Sequence, residues 1–102
     1  MVKLILVTGL PGTGKTTFAK ALAAALGAIH LNTDMVRADL GVRGQYDPRT
    51  KERVYDELRR QAGAALNAGR QVVVDGTFYL WKIRQSFREL AGEQHVDYHW
   101  IE

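Results

Sequence analysis

Cysteine is absent from this 102-residue chain, and proline occurs only twice. Without cysteine the protein can form neither disulfide bonds nor thiolate metal sites, and a reducing compartment is compatible with this composition. Its histidines, at positions 30, 95 and 99, do not share metal-ligand spacing, so zinc is not expected. No apolar run approaches the roughly 20 residues of a transmembrane helix, and the apolar N-terminal segment is too short for a signal peptide. These features predict a cytoplasmic protein that does not enter a membrane.

The chain has only a small excess of positive over negative charge, with 14 Lys and Arg residues and 11 Asp and Glu residues. The net charge of +3 favours an anionic ligand such as a nucleotide, but it is too small to establish nucleic-acid binding. Hydrophobic residues make up 46% of the chain and charged residues 25%, as in ordinary globular proteins. With this length we expect a single domain over residues 1–102.

Strand-like and helix-like segments alternate along the chain. Short apolar runs predict strands at 4–8, 28–31, 71–75 and 96–101. Helical periodicity predicts helices at 15–26, 35–40, 51–68 and 80–91, and glycines and a proline predict a mobile loop at 41–50. The order β-α-β-α-α-β-α-β is typical of an α/β fold. We predict three layers, with a parallel sheet of about four strands flanked by helices.

Residues 9–16 read Gly-Leu-Pro-Gly-Thr-Gly-Lys-Thr and match the phosphate-binding pattern G-x-x-x-x-G-K-[ST], between a predicted strand and a predicted helix. Glycines allow a tight turn that directs successive backbone N–H groups to one point, and the helix N-terminus adds a positive end. The alternative is a glycine-rich turn between two core elements, with the match arising by chance. We predict a nucleotide-binding set of Gly9, Gly12, Thr13, Gly14, Lys15, Thr16 and Thr17.

Three side chains after the glycines fit the chemistry of a bound nucleoside triphosphate. Lys15 can reach the β- and γ-phosphates, and the Thr16 hydroxyl can coordinate Mg²⁺. Thr17 is well placed to contact the α-phosphate. The predicted cofactors are therefore ATP and Mg²⁺, with the nucleotide as the first binding partner.

Asp75 follows the valine run 72–74, at the tip of a predicted buried strand. Ligands of parallel sheets bind beyond the carboxyl ends of the strands, so this carboxylate would face the Mg²⁺ region. There it could hold a metal-bound water or orient the acceptor. The alternative is that Asp75 caps its own turn with Gly76 and Thr77. Beside a phosphate loop we favour the first role, and we predict Thr16 and Asp75 as the metal-site residues.

Asp34 and Arg37 lie three residues apart, on one face of a predicted helix start. A carboxylate there could accept the proton of an acceptor hydroxyl, and an arginine could clamp a phosphate or carboxylate on the acceptor. The alternative is that Thr33 or Asp34 caps the helix N-terminus and Arg37 is its solvent-exposed pair. Spacing alone does not decide between these two interpretations.

On residues 9–17, 32–40 and 72–78, the chain resembles the P-loop kinase group that includes polynucleotide 5′-hydroxyl kinases, zeta-toxin-like kinases and small-molecule kinases. In polynucleotide kinases the second segment reads Asn-x-Asp-x-x-Arg, which Asn32, Asp34 and Arg37 match. The resemblance implies that Asp34 is the general base and that Arg37 contacts the acceptor phosphate. It implies an ATP-dependent phosphotransferase with Lys15, Asp34 and Arg37 as catalytic residues. The acceptor would be a hydroxyl of a small molecule or of a nucleic-acid 5′ end.

The branch of this group is indicated by two motifs. Adenylylsulfate kinases share an Asp-x-Val-Arg-x-x-Leu motif that residues 34–40 match, but they usually lack the Asp-x-Thr found here at 75–77. The polynucleotide-kinase-like branch is therefore favoured. Within it, the chain looks most like a bacterial ATPase subfamily, some of whose members are fused to an aminoglycoside-phosphotransferase-like domain. That subfamily has segments similar to residues 54–55, 68–70 and 75–78.

The resemblance also implies that a C-terminal lid and a last strand are lacking, because family members continue past the fourth strand. An open sheet edge would then be available to a partner domain or to self-association. Arg84 is the best-placed substitute for a lid arginine, although surface solvation remains the commoner role for such residues. The alternative function is a catalytically incomplete ATP-binding module that needs a partner segment. A GTPase is disfavoured because the guanine-reading Asn-Lys-x-Asp motif is absent.

Overall fold

The computed structural model describes residues 2–9, 14–77 and 81–102. Within these ranges the strands are β1 (Lys3–Thr8), β2 (Ile29–Asn32), β3 (Val72–Gly76) and β4 (Asp97–Ile101). The helices are α1 (Lys15–Leu26), α2 (Thr33–Leu40), α3 (Pro48–Asn67) and α4 (Trp81–Glu93). Along the chain the order is β1-α1-β2-α2-α3-β3-α4-β4, as predicted.

The four strands form one sheet in the spatial order β2-β3-β1-β4, and every neighbouring pair is parallel. The prediction of an α/β fold with a four-stranded parallel sheet is confirmed. Because the strands are parallel, their carboxyl ends meet at one edge of the sheet. At that edge Asp75 of β3 pairs in register with Val7 of β1 and with Asn32 of β2.

Side chains alternate between the two faces of the sheet and form two apolar clusters. Leu4 and Leu6 of β1 face one side, where they belong to the cluster that includes Leu58 of α3 and Phe87 of α4. The cluster on the other face consists of two buried alanines of α1, Ala19 and Ala23, and three residues of the central strands, Ile5, Val7 and Val73. The sheet is therefore the middle layer of three. None of the helices within the described ranges combines the length and apolar composition needed to cross a membrane.

Capping side chains set the starts of α2 and α3, and these starts differ from the predicted ones. The side chain of Asn32 accepts a hydrogen bond of 2.8 Å from the Met35 backbone N–H, so α2 begins at Thr33 instead of residue 35. The Asp47 carboxylate accepts a 3.1 Å bond from Thr50 N–H, and α3 begins at Pro48 instead of residue 51. Both corrections have the same cause, since a cap stabilises two or three further helical residues that apolar periodicity does not reveal.

Truncation of a buried α3 side chain tests the assignment of the core. Leu58 is fully buried on the face of the sheet to which Leu4 and Leu6 point. Leu58→Ala should therefore lower the free energy of unfolding by about 2–5 kcal/mol. Urea unfolding followed by circular dichroism measures this. Arg53→Ala, at an exposed position of the same helix, should change stability by about 0.5 kcal/mol or less. Equal losses in both variants would contradict the packing described.

Candidate functional site

Two glycines of the predicted phosphate loop, Gly9 and Gly14, lie at the carboxyl edge of the sheet. Gly9 follows β1 with a backbone φ of 150°, and Gly14 precedes α1 with a φ of 79°. Side chains at both positions would be strained in these conformations, which accounts for the choice of glycine. Gly12 and Thr13 of the predicted set lie outside the described residues.

The N-terminus of α1 is open to an anion. Gly14 is the residue at the cap position and makes no side-chain capping bond, and the first turn contains no acidic residue. The first backbone N–H groups of a helix have no partner inside the helix, and they carry the positive end of its dipole. Lys15, Thr16 and Thr17 occupy this first turn. The arrangement is therefore suited to bind phosphate groups.

Asp75 is the carboxylate that contacts this turn. The Thr16 hydroxyl donates a hydrogen bond of 3.1 Å to Asp75 Oδ1, and Lys15 Nζ lies 3.7 Å from the same oxygen. The other oxygen, Oδ2, contacts Nε2 of His30. Asp75 is only 2% exposed. Its side-chain contacts within the described residues are thus with the α1 start and with β2, which is not the arrangement of a carboxylate that caps its own turn.

The pair of Thr16 and Asp75 fits a magnesium ion by the chemistry of its donors. Both present hard oxygen atoms, and these atoms lie side by side at the start of α1. Mg²⁺ prefers oxygen ligands, and it is usually held by one or two protein groups while water and substrate phosphates complete its shell. The ammonium group of Lys15 near the same carboxylate adds positive charge where a polyphosphate would lie.

The structure also decides which residue caps α2. Asn32 supplies the capping bond, so neither Thr33 nor Asp34 is the cap. Asp34 projects into solvent with 81% of its side chain exposed, whereas the Arg37 side chain is only 8% exposed. Their closest charged atoms, Arg37 Nη1 and Asp34 Oδ1, are 3.9 Å apart. Arg37 is therefore not a solvent-exposed partner, and the interpretation of both residues as a simple cap and surface pair is wrong.

Arg37 is held by the loop that follows α2. Its guanidinium lies 4.5 Å from the centre of the Tyr46 ring, and its Nε donates a 3.4 Å hydrogen bond to the Gln45 carbonyl. The loop itself turns through a 3.1 Å bond from Gln45 N–H to the carbonyl of Val42, whose side chain is buried. This segment, interpreted from sequence as a mobile loop, thus contributes an aromatic face to a buried cation.

The predicted catalytic residues share one cavity. A pocket of about 410 Å³ opens at the carboxyl edge, between the start of α1, α2, the first turns of α3 and the end of β3. It is lined by Lys15, Thr33, Asp34, Arg37, Tyr46, Lys51, Tyr55 and Thr77. Lys15 joins this pocket to a second one of about 390 Å³, which Gly9, Gly14 and Phe18 also line. The structure thus brings Lys15, Asp34 and Arg37 together from two separate segments.

Several residues at the site were not among the predicted site residues. His30 contacts Asp75, and Tyr46, Lys51 and Tyr55 line the shared pocket. A signal for His30 exists, because strand alternation places it on the same sheet face as Asp75 once the register of β2 and β3 is known. No comparable signal marks the other three residues, since their approach depends on the path of the loop and on how α3 packs.

Arg84 does not border the pocket that Lys15 lines. Its guanidinium lies 4.1 Å from the centre of the Trp100 ring, and the two residues line a pocket of about 100 Å³ between α4 and β4. Trp100 Nε1 in turn donates a 2.6 Å hydrogen bond to the Thr8 hydroxyl. Burial raises the pKa of the neighbouring Tyr98, although the positive charges of Arg88 and Arg84 oppose that shift.

A family model described as an AAA domain matches residues 4–102. The chain belongs to this AAA domain family. Its relatives include an uncharacterized protein of Mycobacterium tuberculosis, 38% identical over 106 residues that cover 92% of this chain and 21% of the relative. Another is L-seryl-tRNA(Sec) kinase of Methanococcus maripaludis, 31% identical over 100 residues that cover 93% of this chain and 38% of the kinase. The chain thus spans between a fifth and two fifths of the length of these relatives.

Solved structures agree with this assignment of the AAA domain at the level of fold. An APS kinase mutant from Mycobacterium tuberculosis superposes with a TM-score of 0.80 at 21% identity, covering 97% of this chain and 73% of the kinase chain. A chain of the Pnkp1/Rnl/Hen1 RNA repair complex superposes with a TM-score of 0.79 at 24% identity, covering 97% and 32% respectively. These two likenesses show the fold of the chain and do not separate the branches of the kinase group.

The cap of α2 can be tested by stability. Asn32→Ala removes the acceptor for the Met35 N–H, so we expect a loss of about 1 kcal/mol in the free energy of unfolding. Asn32→Ser keeps an oxygen that can accept this bond, and it should lose much less. Urea unfolding of both variants provides the measurement. If serine and alanine cost the same, the capping role of Asn32 is wrong.

Proposed function

We propose that this domain binds ATP with Mg²⁺ and transfers the γ-phosphoryl group to a hydroxyl. The observation that carries the proposal is the shared cavity: Lys15 of the phosphate loop faces the same 410 Å³ space as Asp34 and Arg37 of α2. A cation that reaches phosphates, a carboxylate that can accept a proton and an arginine that can hold an acceptor are the groups that phosphoryl transfer requires.

In this proposal the phosphates lie at the start of α1. The backbone N–H groups of the loop and of the first helical turn surround them, and Lys15 contacts the β- and γ-phosphates. Gly9, Gly12, Thr13 and Gly14 belong to the proposed nucleotide-binding set, and Thr17 contacts the α-phosphate. The uncapped helix start and the lack of acidic residues in its first turn support this placement.

Thr16 and Asp75 are the residues that would hold magnesium. A magnesium ion held there would neutralise negative charge on the phosphoryl group during transfer. The Thr16 hydroxyl provides one oxygen, and Asp75 provides a carboxylate that acts directly or through a bound water. Their contact of 3.1 Å keeps both oxygens in one place before a nucleotide arrives.

Asp34 and Arg37 act on the acceptor. The acceptor oxygen bonds to the γ-phosphorus while the bond from that phosphorus to the β–γ bridging oxygen breaks, and ADP leaves. The hydroxyl proton passes to the Asp34 carboxylate, which is largely exposed and faces the cavity. Arg37 holds an anionic group of the acceptor, and its stacking on Tyr46 orients the guanidinium for that contact.

The acceptor class we propose is a hydroxyl of a small molecule or of a nucleic-acid 5′ end. The Asn-x-Asp-x-x-Arg motif of Asn32, Asp34 and Arg37 resembles that of polynucleotide kinases, and the name of the Methanococcus relative describes a kinase of L-seryl-tRNA. Structural likeness to an APS kinase supports the small-molecule alternative equally. We also propose the polynucleotide-kinase-like branch, on the basis of Asp75 and Thr77.

A second candidate is an ATP-binding module whose catalysis depends on a further segment or partner. The placement of Arg84 favours it, because this arginine stacks on Trp100 and borders a pocket separate from that of Lys15. A kinase of this kind gains much of its rate from arginines that neutralise transition-state charge. Such a module would bind ATP and Mg²⁺ but transfer phosphate to no acceptor.

Removal of the phosphate-loop lysine tests the nucleotide site. A hydrogen bond between charged groups contributes about 1.5–3 kcal/mol, so Lys15→Ala should weaken ATP binding by roughly 10- to 100-fold. Isothermal titration calorimetry with ATP and Mg²⁺ measures the change. Lys20→Ala, at an exposed position of the same helix, is the matched control and should bind as the unmodified protein does. Unchanged binding by Lys15→Ala would exclude the phosphate loop as the nucleotide site.

Removal of the charge at position 34 tests transfer separately from binding. With γ-labelled ATP and a panel of 5′-hydroxyl oligonucleotides, nucleosides, sugars and amino-sugar antibiotics, Asp34→Asn should lower transfer by roughly 100- to 10,000-fold. Its affinity for ATP should stay within about 3-fold, because Asp34 does not lie at the start of α1, where bound phosphates are stabilised. Asp39→Asn removes a carboxylate at an exposed position further along α2 and should retain transfer. Full transfer by Asp34→Asn would show that it is not the base.

A further inference from the structure

His30 reaches the phosphate side of the site from β2. The register of β2 and β3 pairs His30 with Val73 and Asn32 with Asp75. Residues two apart on a strand face the same side, so Val73 and Asp75 share one face of the sheet, and His30 is the diagonal neighbour of Asp75 on that face. This is the face that α1 covers, because Val73 belongs to the apolar cluster of Ala19 and Ala23.

The Asp75 carboxylate is held from two sides. Oδ1 accepts from the Thr16 hydroxyl at 3.1 Å and lies 3.7 Å from Lys15 Nζ, while Oδ2 contacts His30 Nε2. A carboxylate rotates readily about its last side-chain bond, since this torsion has broad and shallow minima. A contact on Oδ2 restricts that rotation. It therefore determines where Oδ1 points.

The position of His30 is not explained by packing alone. The strands β2 and β3 are already joined by their parallel backbone ladder, and the surrounding cluster on this face is apolar. An apolar β-branched side chain would suit such a strand position, whereas a largely buried imidazole is costly unless its nitrogen is hydrogen-bonded. The contact with Asp75 is what offsets this cost.

We propose that His30 is a positioning residue for the magnesium side of the site. Its Nε2–H donates to Asp75 Oδ2 and so keeps Oδ1 directed at Thr16 and at the place where the metal would bind. Hydrogen-bond partners behind a metal-binding group orient it, and their loss typically lowers metal affinity by about 10- to 100-fold. The inference rests on the ATP–magnesium part of the proposed function and is independent of the acceptor.

Two substitutions separate orientation from packing. His30→Leu has a similar volume but no donor, whereas His30→Gln places an amide nitrogen near the position of Nε2. The magnesium concentration for half-maximal binding of a fluorescent ATP analogue should rise by about 10- to 100-fold in His30→Leu. It should return to within about 3-fold of the original value in His30→Gln, where the donor is restored. Binding of the analogue in EDTA should be the same in both variants, because within the described residues the His30 side chain contacts Asp75 and not Gly9 or the first turn of α1.

A measurement on the ligand-free protein tests the contact itself. In ¹⁵N-labelled protein, the ring-nitrogen resonance of His30 should show a hydrogen-bonded Nε2 that shifts in Asp75→Asn. The resonance of His99, on the other outer strand of the described sheet, should stay unchanged. His99→Leu and His99→Gln serve as matched controls for the magnesium titration, and neither should move its midpoint. A His30 resonance that does not respond to Asp75→Asn would overturn the proposal.

The remaining outcomes are also decisive. If His30→Leu lowers the melting temperature but leaves the magnesium midpoint unchanged, His30 is merely structural and the proposal is wrong. If His30→Leu does not fold, His30→Asn replaces it, because its amide is too short to reach Asp75 and should raise the midpoint as leucine does. Magnesium-dependent binding that Lys15→Ala leaves intact would overturn both this inference and the proposed nucleotide site. Normal binding without phosphoryl transfer would contradict the proposed transfer alone.

Discussion

A buried carboxylate joins the sheet to the start of α1, and the geometry of the site depends on it. Asp75 lies at the tip of β3, in the middle of the sheet, with almost no access to water. A charge in such a place is tolerated only when donors surround it. Lys15 and Thr16 are therefore drawn toward the strand from one side and His30 from the other. One side chain thus links the middle of the sheet to the start of α1.

Much of the fold follows from local sequence, because the signals for strands and helices act over a few residues. The valine run 72–74 is long enough only for a buried strand, and Gly27, with a backbone φ of 65°, ends α1 where the apolar spacing stops. Helix starts are less accessible to this reasoning. Asn32 extends the start of α2 and Asp47 extends the start of α3, each through one side-chain hydrogen bond. The presence of a polar residue before a helix does not by itself show that this bond will form.

The sequence predicts the motif residues of the candidate site but not the side chains that contact them. Lys15, Thr16 and Asp75 have typical spacing relative to a strand and a glycine loop, and the structure brings these three together. The contacts of His30 with Asp75 and of Arg37 with Tyr46 depend on strand register and on the path of a loop. Neither is encoded in spacing along the chain, because each joins residues through tertiary packing.

The hydrogen bond from Trp100 to Thr8 gives the outer strand β4 a direct hold on the residue before the phosphate loop. His30 provides a comparable hold from β2, at the opposite side of the sheet. Both outer strands thus reach the carboxyl edge through a side chain as well as through the backbone ladder, Trp100 at Thr8 of β1 and His30 at Asp75 of β3. A displacement of β4 would therefore act on Thr8 through the indole as well as through the backbone ladder.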